Sequence, residues 1–379
     1  KNIFSSVSRL ERFAGCPFSF FAEYGLKAEE RRLYQLNTPD LGSLFHEVLE
    51  LFSNKLEQDS LSWTSLTKEE TTARIHAAVE DAAPRLGNRI LLDSAANQYL
   101  IRRLKRISTR AAWTLVQHLQ QGDFVPAGYE VGFGAHEALP PIVIRLQDGG
   151  SLILNGKIDR VDLLDANGTR YVKIIDYKSG NKTFHFQDIY YGLQLQLLVY
   201  LDAYLKYYKK TGASFKPGGV FYFRITDPTL ALDEELSAEA IEKILYEKMR
   251  MSGLLLQEDV LIHGLDHSLA ESRSSAIVPV GYTKKGDPTA ASNLATEEQY
   301  AAILDFVATR TQEIGDAMKA GIITPAPYRD GQRTPCSYCS YRSLCRHSYG
   351  EAPRWRKLKK IDKADFWESI TPKQPPETE

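Results

Sequence analysis

Two carboxylates and a lysine interrupt strand-like sequence in Asn155–Gly180, NGKIDRVDLLDANGTRYVKIIDYKSG. The runs Lys157–Leu164 and Tyr171–Lys178 flank an Asp/Asn/Gly-rich piece, Asp165–Arg170, so the stretch reads as a β-hairpin. A hairpin symmetric about that piece sets Asp159 opposite Asp176, with Cβ atoms about 4.5–5.5 Å apart, where like charges destabilise a sheet. Lys178, two residues beyond Asp176, leaves the strand on the same face. A divalent cation is the simplest reason for such a set. Carboxylate oxygens hold Mg2+, which lowers the pKa of a bound water and neutralises charge developing on phosphate oxygens. Lys178 would orient the water or stabilise the transition state. The chemistry expected is metal-dependent phosphodiester hydrolysis. Glu130, just inside the preceding strand, is an extra candidate ligand or water-orienting base.

The four cysteines are the second signal. Cys336-x2-Cys339 has chelate spacing, Cys345 follows, and Cys16 lies near the other end of the chain. So few cysteines do not make a disulfide framework. Four thiolates suit tetrahedral zinc or a cubane iron–sulfur cluster, and spacing leaves both open. Loop-closure entropy grows by about 0.6 kcal/mol per doubling of loop length, so a metal joining both chain ends would clasp the whole domain.

Other elements must bring their residues to the hairpin. Ser8 followed by Glu11 reads as a capping box for a helix in Ser6–Tyr24. Pro39-Asp40 opens a helix over Leu41–Leu56 with Gly42 and His46 one turn apart. Thr67–Gln121 reads as two or more helices with breaks near Pro84 and Gly87. It carries a basic run, Arg102, Arg103, Lys105, Arg106 and Arg110, between Tyr99 and Trp113; this is either a solvated helix face or a phosphate contact. Strands Glu130–Phe133, Ile142–Leu146, Ser151–Leu164 and Tyr171–Lys178 suggest a meander. A helix over Tyr190–Tyr208 puts Gln196 and Tyr200 on one face, and Val220–Ile225 is a further strand. Asp227–Asp266 looks mostly helical, and Ala276–Thr289 looks like a hairpin with Lys284-Lys285-Gly286 at its tip. Thr296–Gly321 is a helix with a Thr296/Gln299 capping box and a glycine stop.

Composition frames these sites. The chain has 379 residues, 43% hydrophobic and 25% charged, with net charge −1, an ordinary globular balance. Any nucleic-acid contact must therefore be local. No apolar run reaches the roughly 18 residues of a membrane span. No G-x-x-x-x-G-K-[ST], G-x-S-x-G or H-E-x-x-H motif occurs. The first residue is Lys and folded-looking sequence follows at once, which suggests a piece of a longer chain.

Gly42-x3-His46, Asp159 in GKIDRVD, Asp176-Tyr177-Lys178 in IIDYKSG and Gln196-x3-Tyr200 resemble the RecB-type branch of the PD-(D/E)XK nuclease superfamily. One cysteine before the histidine motif and C-x2-C-x5-C near the end resemble its iron–sulfur branch, and SVSRLERFAGCPF and SLFHEVLE are most similar to AddB-type nuclease domains. The resemblance covers about Ser6 to His347. It implies an α/β fold with a restriction-endonuclease-like core, in which a mixed central sheet is flanked by helices, plus a helical N-terminal region and an iron–sulfur clasp. The nuclease domain would span 1–350, with its core at about 129–225 and the clasp from 16 and 336–345; 351–379 would be a basic, then polar, tail. His46, Asp159 and Asp176 would bind Mg2+, with Lys178 and Glu130 completing the catalytic set. Gln196 and Tyr200 would support the site and the DNA strand. Cys16, Cys336, Cys339 and Cys345 would hold [4Fe-4S]. The implied setting is cytoplasmic DNA repair by homologous recombination: an exonuclease acting on single-stranded, unwound DNA beside an AddA-type helicase-nuclease, cutting the 5′-terminated strand. The alternatives are a non-catalytic DNA-guiding or subunit-docking module on the same scaffold, and a zinc-clasped structural domain.

Overall fold

A computed structural model describes residues 2–29, 38–85, 95–230, 235–347 and 355–371. The expected break near Gly87 and the polar, proline-rich C-terminal end lie outside them.

The N-terminal third is helical after one short strand, β1 (Ile3–Ser5). Helix α1 (Val7–Gly15) starts two residues earlier than the sequence suggests. Ser6, in extended conformation, accepts the N–H of Arg9, so Ser6 rather than Ser8 is the cap and Glu11 is free for another partner. Helix α2 (Pro17–Phe20) begins on a proline, whose missing N–H costs nothing at a first helical position. Next come α3 (Thr38–Gln58), α4 (Lys68–Ala82) and α5 (Ala95–Gln120), with α4 packed on both neighbours. A Thr67/Glu70 capping box fixes the start of α4.

The strands that follow divide between two sheets. They are β2 (Val125–Phe133), β3 (Ile142–Arg145), β4 (Ser151–Leu154), β5 (Gly156–Ala166) and β6 (Thr169–Lys178). They do not form the single meander expected. β3 and β4 join β1 in a small sheet ordered β1-β4-β3, while β2 pairs directly with β5. The break falls at Asn155, whose N–H leaves the ladder to bond Ser5 O at 3.1 Å. The acidic hairpin turns on Asn167 and Gly168, both with positive φ (51° and 74°), as a tight two-residue turn requires. Its ladder is unbroken from Ala166 opposite Thr169 to Arg160 opposite Ile175. The next positions outward are Asp159 and Asp176.

A parallel strand pair needs a long crossover, usually helical. Here α6 (Phe186–Tyr190) and α7 (Gln196–Lys210) carry the chain from β6 to β7 (Phe215–Arg224), which lies parallel to β6. The helix expected over Tyr190–Tyr208 is thus two helices. Gly192 (φ 73°) breaks it, and Gln196 becomes the first residue of the second.

Residues 227–266 are not mostly helical. Between α8 (Ala238–Lys248) and α9 (Asp259–Leu265) lies β8 (Ser252–Leu256), antiparallel to β7. Its apolar run is buried and does not alternate, so its period says nothing about strand or helix. A Cβ on Gly253 would sit 1.9 Å from Val220 O, so only glycine fits there. With β9 (Leu294–Ala295) the main sheet has the order β2-β5-β6-β7-β8-β9, mixed in direction and reaching well past residue 225. The hairpin expected over Ala276–Thr289 reduces to isolated bridges, one joining Tyr282 and Pro288 around Lys284-Lys285-Gly286.

Helix α10 (Glu297–Lys319) has the expected Thr296/Gln299 capping box and ends before Gly321 (φ 72°). Then follow β10 (Tyr328–Arg329), α11 (Arg342–Cys345), β11 (Arg356–Lys357) and α12 (Lys363–Ile370). The last is a helix within the stretch expected to be a basic, then polar, tail. Phe366 and Trp367 are buried, and the Phe366 ring lies 5.0 Å from Phe186 and 6.0 Å from Phe306 between centroids. Burying each such ring stabilises the fold by about 1.5–3 kcal/mol. Two aromatic residues on eight are too short a pattern to show a helix in sequence.

Candidate active site

Glu130, Asp159 and Asp176 stand side by side on β2, β5 and β6. The β2–β5 ladder sets Tyr129 opposite Arg160 and Val131 opposite Ile158, which leaves Glu130 facing Asp159. Glu130 has φ 46°, left-handed and uncommon for a side-chain-bearing residue. Strain of this kind costs about 1–3 kcal/mol and collects at functional sites.

α3 delivers the histidine. A Cβ on Gly42 would lie 2.9 Å from Ser179 Oγ, so glycine lets the helix approach the chain just beyond β6. One turn on, His46 Nδ1 reaches within 3.4 Å of Asp159 Oδ2. The same oxygen accepts the Tyr177 N–H at 2.6 Å. Ligand atoms of His46, Glu130 and Asp159 all lie within 4.8 Å of one another.

Lys178 and α7 complete the group. Lys178 Nζ is 2.5 Å from Asp176 Oδ2 and donates to Gln196 Oε1 at 3.4 Å. Tyr200 is buried one turn along α7 and stacks on Phe133 at 5.6 Å. A Cβ on Gly156 would fall 2.1 Å from its hydroxyl, so Gly156 makes the room Tyr200 needs.

The charges are mutually dependent. Burial, then the charge of Asp159, pushes the Asp176 carboxyl up to about 7. The same two causes push Glu130 up to about 7. Burial disfavours the His46 imidazolium, but its hydrogen bond to Asp159 and the charges of Asp159 and Asp176 outweigh that and raise its pKa. Lys178 is likewise raised, its burial outweighed by Asp176, so it stays an ammonium. Asp176 Oδ2 is buried against the Lys178 ammonium. The imidazole of His46 and the carboxylates of Glu130 and Asp159, with Asp176 on the adjoining strand held by Lys178, fit a hard divalent cation with oxygen and nitrogen ligands.

Two contributors escaped the sequence reading. Glu11 Oε1 accepts the N–H groups of Leu195 (2.7 Å) and Gln196 (3.0 Å), so a residue of α1 caps α7. Its other oxygen is 3.1 Å from Lys182 Nζ. Tyr222, paired with Asp176 across β6 and β7, presents its ring 5.9 Å from Lys178 Nζ and 5.3 Å from Lys182 Nζ. No local pattern marks either, because both depend on which segments meet in space.

A buried ionic cluster lies behind the carboxylates. Arg160 makes a two-pronged contact with Asp162 (2.6 and 3.0 Å), and Lys173 Nζ is 2.9 Å from Asp162. Arg160 follows Asp159 directly, so its side chain leaves the strand on the opposite face.

The four cysteines also meet. All are free thiols lining one cavity between α2 and the segment around α11. Arg333 ties that segment to α6 through two bonds to Asp188 (2.8 and 2.6 Å). Four thiols around one cavity fit either a tetrahedral metal ion or a cubane cluster.

With this geometry in hand, comparison with known proteins is specific. The PD-(D/E)XK nuclease superfamily profile matches residues 5–346. The chain belongs to this superfamily. Its curated relatives include B-type subunits of ATP-dependent helicase/deoxyribonucleases. The one from Alkaliphilus oremlandii (strain OhILAs) is 43% identical over 97% of this chain and 32% of its own. The one from Alkaliphilus metalliredigens (strain QYMF) is 45% identical over 90% of this chain and 30% of its own. That of Thermoanaerobacter sp. (strain X514) is 37% identical over 96% and 32%. The chain therefore spans about a third of the length of the curated relatives it matches. As a superfamily member it combines a mixed sheet flanked by helices with the acidic strand pair and lysine that the sequence suggests. Among the described residues no helix is long and apolar enough to cross a membrane.

Proposed function

We propose that this chain is the nuclease domain of an AddB-type subunit: a Mg2+-dependent exonuclease that cleaves single-stranded DNA during double-strand-break end resection. In this reading the substrate is the 5′-terminated strand unwound beside an AddA-type helicase-nuclease, and the complex works in the bacterial cytoplasm. The observation that carries it is the meeting of His46, Glu130 and Asp159 within 4.8 Å, with Asp176 and Lys178 on the adjoining strand.

His46, Asp159 and Asp176 are the residues that would hold the cation, with Glu130 beside them. When bound, the metal supplies Lewis acidity and a lowered water pKa. The chain does the rest. The Lys178 ammonium neutralises charge that grows on the phosphate oxygens in the transition state. Gln196 holds the Lys178 side chain in place. Glu130, facing Asp159 from β2, is placed to take a proton from the attacking water. Tyr200 of α7 stacks on Phe133 of β2 and lies against Gly156 of β5, bracing the two strands.

For the cysteine site the proposal is [4Fe-4S], supported by four free thiols lining one cavity and by the resemblance of their spacing to the iron–sulfur branch. The cluster would join α2 to the segment after β10 and so hold α1, with Glu11, against α7.

The deciding experiment is cleavage of an end-labelled single strand by the wild-type chain and by Asp176→Ala, with Mg2+ and with EDTA. Metal-dependent cleavage lost in the variant supports the assignment. Tight DNA binding without cleavage in Mg2+ or Mn2+ would favour a strand-guiding module instead.

A further inference from the structure

The basic face of α5 plays no part in the catalytic centre. Arg102, Arg106 and Arg110 follow one another at four-residue steps, so they share a face about 12 Å long. α4 contributes Lys68 and α8 contributes Lys243 and Tyr246 to the same open cavity, of about 600 Å³. With Lys105, six full cations line it against one carboxylate, Glu242. Half-buried Trp113 and Tyr246 supply aromatic surface.

The acidic neighbours do not quench this surface. Lys105 pairs with Glu80 at 2.6 Å, and Arg106 with Asp227 at 2.5 Å. Arg110 is 3.9 Å from both Asp227 and Glu242. These half-exposed pairs, like Lys68 and Glu242 at 3.9 Å, are contacts near the surface, where an ion pair contributes little and a phosphate can displace the carboxylate. Arg102 and Lys243 have no acidic partner among the described residues. Two lining groups, Thr109 Oγ1 and Arg110 Nε, are buried without a hydrogen bond.

A second cavity lies near the catalytic strands. Its lining includes Arg103, Thr226, Asp227 and Ser179, the residue after Lys178. Its Asp227 is the partner of Arg106 and Arg110.

We infer that the groove between α4, α5 and α8 binds the phosphodiester backbone of single-stranded nucleic acid and holds the strand outside the cleavage site. Guanidinium forks match phosphate oxygens. A half-buried indole and phenol can stack only with unpaired bases, which favours a single strand over a duplex. The choice of nucleic acid rests on the proposed function; the groove's affinity can be tested without it.

The test is anisotropy of a fluorescent oligothymidylate about twenty nucleotides long, titrated in EDTA so that nothing is cut, with the full chain and an Arg102→Ala/Lys243→Ala variant. Removing two phosphate contacts should weaken binding about tenfold at low salt and reduce the slope of log affinity against log salt by about 1.4. Both residues are exposed, so the variant's melting temperature should not change. An exposed control pair outside the groove, Lys209→Ala/Lys210→Ala at the end of α7, should bind like the wild type, which separates the groove from general surface charge. Unchanged affinity and salt slope in the double variant overturn the inference. So does unchanged DNA binding together with loss of a protein that copurifies with the wild type, because the groove would then be a protein contact. A wild-type chain that binds but never cleaves would sink the nuclease reading and leave this result intact.

Discussion

Glu11 and Gln196 lie 185 residues apart, yet the carboxylate of the first accepts the backbone N–H of the second at 3.0 Å. Through that contact α1 sets where α7 begins, and Gln196, its first residue, holds Lys178. The cap should be testable as a positioning device. Glu11→Ala removes the cap and the ion pair to Lys182, and a lost cap costs about 1 kcal/mol. We expect a lower melting temperature and a fall in kcat larger than any rise in KM. Glu11→Gln keeps an acceptor oxygen and should recover most of the activity.

Lys178→Ala and Asp159→Asn should each lower the cleavage rate by about 10²–10³-fold, the usual effect of removing one preorganised charged group from such a site. Circular dichroism should be unchanged, because Lys178 sits at the end of β6 and not in its interior. Full activity in either variant would contradict the assignment.

The site also predicts a pH dependence of metal-free stability. Glu130 and Asp176 are raised to about 7, well above ordinary carboxyls. Between about pH 4 and 7 the folded protein therefore binds more protons than the unfolded chain, and stability falls as pH rises. His46, also raised, acts in the same direction: its contribution is complete below its unfolded value and is lost as pH passes the folded one. In EDTA the melting temperature should be lower at pH 8 than at pH 5. Mg2+ should narrow that gap, since a cation favours the ionised carboxylates. A melting temperature that rises with pH in EDTA would count against this electrostatic picture.

Removing a cluster ligand should act far from the cysteines. Cys339→Ala should lose iron and visible absorption, and its melting temperature should fall because α2 is no longer joined to the segment around α11. Zinc in place of iron in the native protein, measured by elemental analysis, would overturn the iron–sulfur assignment.

Asp162→Ala should be the most damaging single change outside the site. It leaves Arg160 and Lys173, both almost fully buried, without their shared anion. Breaking such a group costs about 3–5 kcal/mol, and chemical denaturation should show it. Since Arg160 adjoins Asp159, cleavage should fall as well.

By itself the sequence determined the chemistry-bearing hairpin. Asn167-Gly168 can turn without strain at positive φ, and alternation then places Asp159, Asp176 and Lys178 together. It also showed the capped start of α10, since Thr296 and Gln299 satisfy each other's backbone locally. What is not local was not legible. β8 is apolar on every side and carries no period, and α12 shows only two aromatic residues. Ser6 and Ser8 are equally good caps until the backbone chooses one. Only the tertiary structure decided that Glu11 serves α7, that Gly42 brings His46 to Asp159, and that Glu130 turns through a left-handed backbone to join them. The physical reason is that side-chain type and spacing fix a residue's neighbours along its own strand or helix. Contacts between elements depend on how their buried faces pack together, and no single segment encodes that.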